Sequence, residues 1–199
     1  MAADRTDPTP PPDRDALGAL LVQQIPALTA FVRLRMGTLL RKREDGEDIV
    51  QTVCRAALEG LPRVDYRGDA AFRRWLFGIA TNKLLERVRS VTAARRDPAR
   101  EVPLDELGAS QVLDRYRGLC TPSADLQSRE ALSRIERAFD VLSDEQQEAI
   151  SLRRIAGLDY PDIAAAMQRS EGAVRNLVHR GLARFALELE AAGIVVTAD

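Results

Sequence analysis

Residues 158–185, LDYPDIAAAMQRSEGAVRNLVHRGLARF, carry two runs of helical periodicity separated by only four polar residues. The apolar positions of the first run are Tyr160, Ile163, Ala164 and Met167. Those of the second are Val174, Leu177, Val178, Leu182 and Phe185. Both follow the i, i+3, i+4 spacing of one buried stripe, and so short a connection makes the two helices pack as a helix-turn-helix. Asp159 is the expected N-cap of the first helix, with Pro161 in a first turn that has no need of its N–H. Ser170 is the expected N-cap of the second, with Glu171 just inside it to complement the helix dipole. Away from the second stripe, Arg175, Asn176, His179, Arg180 and Arg184 point outward. These are donors suited to base edges and phosphates in a major groove. A charged helix face is also the ordinary solvated face of a surface helix; the tight turn and the partner helix favour the groove.

The rest of the chain shows no alternating strand pattern, so the expected fold class is all-α, two small helical domains joined by a flexible linker. Residues 1–15 are acidic and proline-rich with no apolar periodicity and read as a disordered tail. A helical bundle is expected over 16–90. Leu17, Leu20, Leu21 and Ile25 open its first stripe, Pro26 restarts or kinks the helix, and Leu28, Phe31, Val32, Met36, Leu39 and Leu40 continue it. After the charged break RKREDGED at 41–48, Ile49, Val50, Val53, Cys54, Ala57 and Leu58 mark a helix that stops at Gly60 and Pro62. A polar loop precedes a long helix on Phe72, Trp75, Leu76, Ile79, Leu84 and Val88, with Trp75 expected in the core. Between 91 and 125 the periodicity lapses among prolines and glycines, which reads as a linker with at most short helical turns. A second domain is expected over 126–187, with Ser143 opening a capping box and a short tail at 188–199.

The formal charge of −1 conceals an asymmetry: residues 16–90 hold 13 Lys plus Arg against 8 Asp plus Glu, whereas residues 126–199 hold 9 against 12. The first domain attracts DNA by its bulk field, and the second must rely on a local basic patch. The apolar runs look too interrupted for a membrane span, and the N-terminus lacks the pattern of a signal peptide. Cys54 and Cys120 suit core packing in a reducing cytoplasm better than a disulfide. No phosphate loop, glycine fingerprint, metal-ligand cluster or nucleophile with its base is present, so neither an enzyme nor a cofactor is expected.

A helix containing EDIVQ, a polar loop leading into FRRWLFGIATNKLLERVR, a linker of some thirty-five residues and the C-terminal helix-turn-helix occur in that order. Together they resemble the bacterial RNA polymerase sigma factors of the extracytoplasmic-function group, over residues 17–187. The resemblance implies a sigma2-like and a sigma4-like domain that bind core polymerase and deliver it to the minus-ten and minus-thirty-five elements of promoter DNA. It implies that Asp48, Ile49, Val50 and Gln51 dock on the clamp coiled coil of the largest polymerase subunit, although Ile49 and Val50 also read as core. The flap of the second-largest subunit and an anti-sigma factor are further implied partners. The loop Arg63 to Ala71, with Tyr66 and Arg67, and the helix residues Arg73, Arg74, Asn82 and Lys83 match the segment that holds the opened minus-ten strand. The minus-thirty-five residues would be Ser170, Glu171, Arg175, Asn176, His179, Arg180 and Arg184.

Some residues depart from that pattern. Gln168 stands where the turn usually has glycine, and Arg169 where a small apolar residue follows. Thr52 to Arg55 replace a Glu-Thr-Phe-Leu sequence, and Gly78 sits inside a helix at a cost of about 1 kcal/mol relative to alanine. A one-component regulator would share the helix-turn-helix but bind DNA as a symmetric dimer without polymerase. An adaptor would bind polymerase or a sigma factor with no DNA contact.

Overall fold

A computed structural model describes residues 14–64, 66–89, 106–120 and 126–194, and every described element is helical. The N-terminal tail up to residue 13, the linker stretches 90–105 and 121–125 and the last five residues lie outside the described residues.

Helix α1 (Arg14–Arg35) continues through Pro26. Pro26 and Val22, whose carbonyl loses its usual donor, are both exposed, so water can satisfy that oxygen. The helix is long and apolar enough to cross a bilayer, contrary to the sequence expectation. Its inward face, including Leu28, Phe31 and Leu34, is nonetheless fully buried in protein. The chain breaks at Met36 and Gly37 rather than continuing, and the short α2 (Gly37–Arg41) leaves Leu39 exposed. Asp45 then caps α3 (Gly46–Gly60) by accepting from the Glu47 N–H at 3.0 Å, so the expected charged break is already partly helix. A 3-10 turn, Leu61–Arg63, leads to α4 (Asp69–Arg89). Phe77 of α4 meets Phe31 of α1 edge-on at 5.2 Å, and Trp75 packs half-buried beside Phe72 at 5.6 Å.

The C-terminal group is α6 (Leu126–Phe139), α7 (Asp144–Ile150), a π-helical turn (Ser151–Ile155), α8 (Tyr160–Met167) and α9 (Glu171–Ala191). Ser143 closes the expected capping box with Gln146. Gln147 is buried and donates to Phe139 O and Leu142 O, which fixes the α6–α7 corner. Helix α9 passes residue 187 and buries Leu189, so the first part of the expected C-terminal tail is helix. Its lower half is held at close range: a Cβ on Gly181 would lie 2.6 Å from Ile150 Cδ1 and 3.2 Å from Gln146 Cβ.

The stretch expected to be a flexible linker contains a helix, α5 (Glu106–Leu119). Ala109, Val112, Leu113, Tyr116 and Cys120 are buried there, at the spacing of one helical face. That face packs on α1 of the first group and on α6, α9 and the π-helical turn of the second. The two groups therefore share one continuous core.

Candidate nucleic-acid and polymerase interfaces

The helix-turn-helix is built around one left-handed residue. Gln168 ends α8 at φ 54°, ψ 45°, and the Arg169 N–H returns to Ala164 O at 3.0 Å, which turns the chain into Ser170. Ser170 caps α9 by accepting from the Ala173 N–H at 3.2 Å. Asp159 begins α8 without a side-chain cap bond; its carboxylate instead lies 3.4 Å from Arg153. Arg169 pairs with Glu145 of α7 instead of entering the core, so the substituted turn is held by an ion pair.

Along α9 the buried stripe contains Val174, Val178 and Leu182, and Ser170, Glu171, Arg175, Asn176 and His179 are exposed at the helix's N-terminal end. Arg180 is half-buried. Arg184 sits in the lower half and bonds Glu188 at 2.9 Å. The exposed donors thus cluster on the part of the helix that a groove can admit. The Arg175 guanidinium lies 4.1 Å from the centroid of the Tyr160 ring and 3.6 Å from Glu171, and Arg153 lies 4.9 Å from the same ring. Arg153, Arg154, Tyr160, Arg175 and His179 line a shallow open notch beside the helix. The roles of Arg153 and Arg154 in this patch were not legible in the sequence, although the adjacent pair of arginines was the available signal.

In the first domain Asp48 and Gln51 are exposed one turn apart on α3, and Leu58 is exposed on the same side two turns further on. Ile49 and Val50 do not share that face. They are 1% and 8% exposed and belong to the core, so of the four candidates only Asp48 and Gln51 present their side chains to a partner in this form of the chain. A partner approaching α3 meets Asp48 and Gln51.

The minus-ten candidates are only partly brought together. Arg63 and Arg67 are exposed, while Tyr66 donates to Asp69 Oδ1 at 2.6 Å; that hydrogen bond and the carboxylate's charge raise the phenol's pKa. On α4, at roughly 100° per residue, Arg73 and Asn82 fall on opposite sides. Arg73 is half-buried, with its Nε enclosed and lacking a hydrogen-bond partner, so it is less accessible to a strand than Arg74. Arg74 and Asn82 are exposed; Arg74 is paired with Asp162 of α8 in the other domain, and Lys83 lies 3.0 Å from Glu86. Among the described residues no three His, Cys, Asp or Glu side chains gather as a metal site.

Comparison with known proteins adds findings of three kinds. Residues 21–94 match the family model of sigma-70 region 2, and residues 132–185 that of sigma-70 region 4. The chain is 32% identical to the ECF RNA polymerase sigma factor SigD of Mycobacterium tuberculosis, over 91% of its own length and 80% of the relative's. It is 28% identical to the ECF RNA polymerase sigma-E factor of Escherichia coli, over 73% and 76% respectively. The fold is shared with the sigma factor RpoE from Bartonella quintana, solved with the anti-sigma factor NepR, at TM-score 0.58 and 23% identity over 89% of this chain and 98% of that one. It is also shared with CnrH, solved with the cytosolic domain of CnrY, at TM-score 0.54 and 24% identity over 90% of each chain.

Proposed function

The chain belongs to the extracytoplasmic-function group of the sigma-70 family and is a sigma factor for RNA polymerase, and on that premise we propose how its residues divide the work. The helix-turn-helix domain reads the minus-thirty-five element through the exposed N-terminal half of α9, with Arg175 as the base reader and Arg184 at most a phosphate contact. The first domain docks on the clamp coiled coil of the largest polymerase subunit through Asp48 and Gln51, and holds the minus-ten strand with Arg63, Tyr66, Arg67, Arg74, Asn82 and Lys83. The flap of the second-largest subunit is the partner of the second domain. The boundaries 16–90 and 126–187 serve as the working division, with α5 as an ordered connector between them. The protein acts in the cytoplasm as a promoter-specificity factor with no catalytic activity of its own. An anti-sigma factor controls it, a proposal supported by the partners with which both fold neighbours were solved.

The observation that carries the reading is the clustering of Arg175, Asn176 and His179 on the accessible end of α9. Reconstitution with core polymerase on a randomised promoter library tests it. Asp48→Arg with Gln51→Ala should weaken core binding and leave the melting curve within about 0.5 kcal/mol, since both side chains are exposed. Arg175→Ala should relax base preference at one upstream position, at a cost of roughly 1–3 kcal/mol. Arg184→Ala should weaken all sequences alike. Unchanged core affinity in the first variant removes α3 as the docking face, and unchanged preference in the second removes Arg175 as the reader.

A further inference from the structure

Arg175 is exposed, and a long exposed arginine ordinarily samples many rotamers, a freedom it must surrender on binding a base. Here it has a resting place. Its guanidinium carbon is 4.1 Å from the centre of the Tyr160 ring, well within the range of a cation–π contact. Its contact with Glu171 at 3.6 Å joins two half-exposed groups one turn apart and is weak by itself. The ring is a firm base: Tyr160 opens α8, is half-buried, and packs against the domain core. Arg153 lies over the same ring at 4.9 Å but is tied down, donating to Leu158 O at 3.0 Å and to Asp159 at 3.4 Å. Of the two guanidiniums at the ring, Arg175 is therefore the one on the recognition helix and able to serve DNA.

We propose that Tyr160 is a positioning residue for promoter readout: its ring holds the Arg175 guanidinium by the π face and presents the N–H edge to a guanine of the upstream element. A guanidinium stacked in this way spends none of its in-plane donors on the ring, and it is the in-plane fork that pairs with guanine O6 and N7. Fixing the side chain before the encounter lowers the entropy lost on binding, and the gain is felt only where the fork finds its base. The inference rests on the reading of Arg175 as a base reader.

The test uses the full chain in complex with core polymerase, selecting from a library randomised at the upstream element. Five variants are compared with the parent: Tyr160→Phe, Tyr160→Leu, Tyr160→Met, Arg175→Ala and Tyr160→Leu with Arg175→Ala. Tyr160→Phe keeps the ring face and should keep the parent's preference. Tyr160→Leu and Tyr160→Met keep apolar bulk without a ring, and each should lose about fivefold of the discrimination at the one position that Arg175→Ala identifies. In the Arg175→Ala background the loss of the ring should change preference no further. Using two ringless variants guards against one that folds poorly, since a damaged domain weakens every sequence alike. Parental preference in both ringless variants overturns the proposal, as does a uniform loss across all sequences or an effect that persists without Arg175. If Arg175→Ala itself leaves preference unchanged, the failure belongs to the reading of Arg175, and the positioning role falls with it.

Discussion

Gln168 is the only non-glycine residue with positive φ among the described residues, and it sits at the corner on which the recognition helix is aimed. A left-handed conformation costs an L-residue roughly 1–2 kcal/mol, while glycine adopts it freely but loses more chain entropy on folding. The two effects leave a net gain, so Gln168→Gly should stabilise the protein by about 0.5–1 kcal/mol, read as a higher denaturant midpoint with an unchanged slope. A lower midpoint would mean that the Gln168 side chain contributes contacts that outweigh its backbone strain. This position was legible in the sequence because glycine is the residue the turn calls for. The Arg153 contribution to the basic patch was hidden for a geometric reason: the chain leaves the helix after Ile155, turns at Gly157 with φ 67° and restarts as α8 at Tyr160, so no helical count relates Arg153 to Tyr160. Ile49 and Val50 show the converse limit, because a motif matched as a string of four letters folds as two exposed residues and two core ones.

At the scale of elements, α5 is what the sequence did not reveal. Its apolar positions keep helical spacing, but glycines bracket them and the stretch is otherwise polar, so the pattern does not stand out from a linker. A helix of this length is marginal alone and is stabilised by the surfaces it packs on, which come from opposite ends of the chain. The helices of the two domains were legible because their stripes are long and their caps local, as at Ser143 and Ser170. The buried face of α5 also fixes a pH response. Burial pushes the Cys120 thiol up to about 11 from its ordinary 9, and burial together with the neighbouring Cys120 and Glu136 raises the Tyr116 phenol well above its usual value. Between those pH values the folded chain holds the Cys120 proton while the unfolded chain has released it. Stability from this group is therefore complete below about pH 9 and drains away as pH rises toward 11. Denaturant midpoints measured across that window in reducing buffer should fall for the parent, and Cys120→Ala should fall less steeply. Parallel curves for the two proteins would show that the thiol titrates alike in the folded and unfolded chains, so that burial does not shift it.

Taken as a whole, the molecule holds its two domains together by charge as well as by apolar contact. Glu136 of α6 is 3% exposed and accepts from Arg33 Nε and from the Tyr116 hydroxyl, each at 2.8 Å. Arg41 pairs with Asp140, Thr38 donates to Asp140 at 2.7 Å, and Arg35 lies 3.8 Å from Glu148. Arg74, a candidate for the minus-ten strand, is spent on Asp162 of the helix-turn-helix. On the proposed assignment this closed form cannot span a promoter. Elements named for positions ten and thirty-five lie about 25 base pairs apart, roughly 85 Å of duplex at 3.4 Å per step. A compact chain of this length is on the order of 40 Å across. The interface must therefore open for function, and its strength sets how much of the free energy of polymerase and promoter binding goes into opening it. Glu136→Gln keeps an acceptor for Tyr116 but removes the charge that Arg33 and Arg41 share. A charge-assisted bond to a buried group is worth about 1.5–3 kcal/mol, and Arg33 is about one-third exposed, so the loss should fall near the lower end of that range. The variant should show a larger radius of gyration by solution scattering and a lower melting temperature, and raising the salt should expand the parent toward the same dimensions. It should also bind core polymerase more tightly, because less work remains to separate the domains. A variant that melts lower while keeping the parent's dimensions and core affinity would place Glu136 in stability alone and leave the closed form without a regulatory cost.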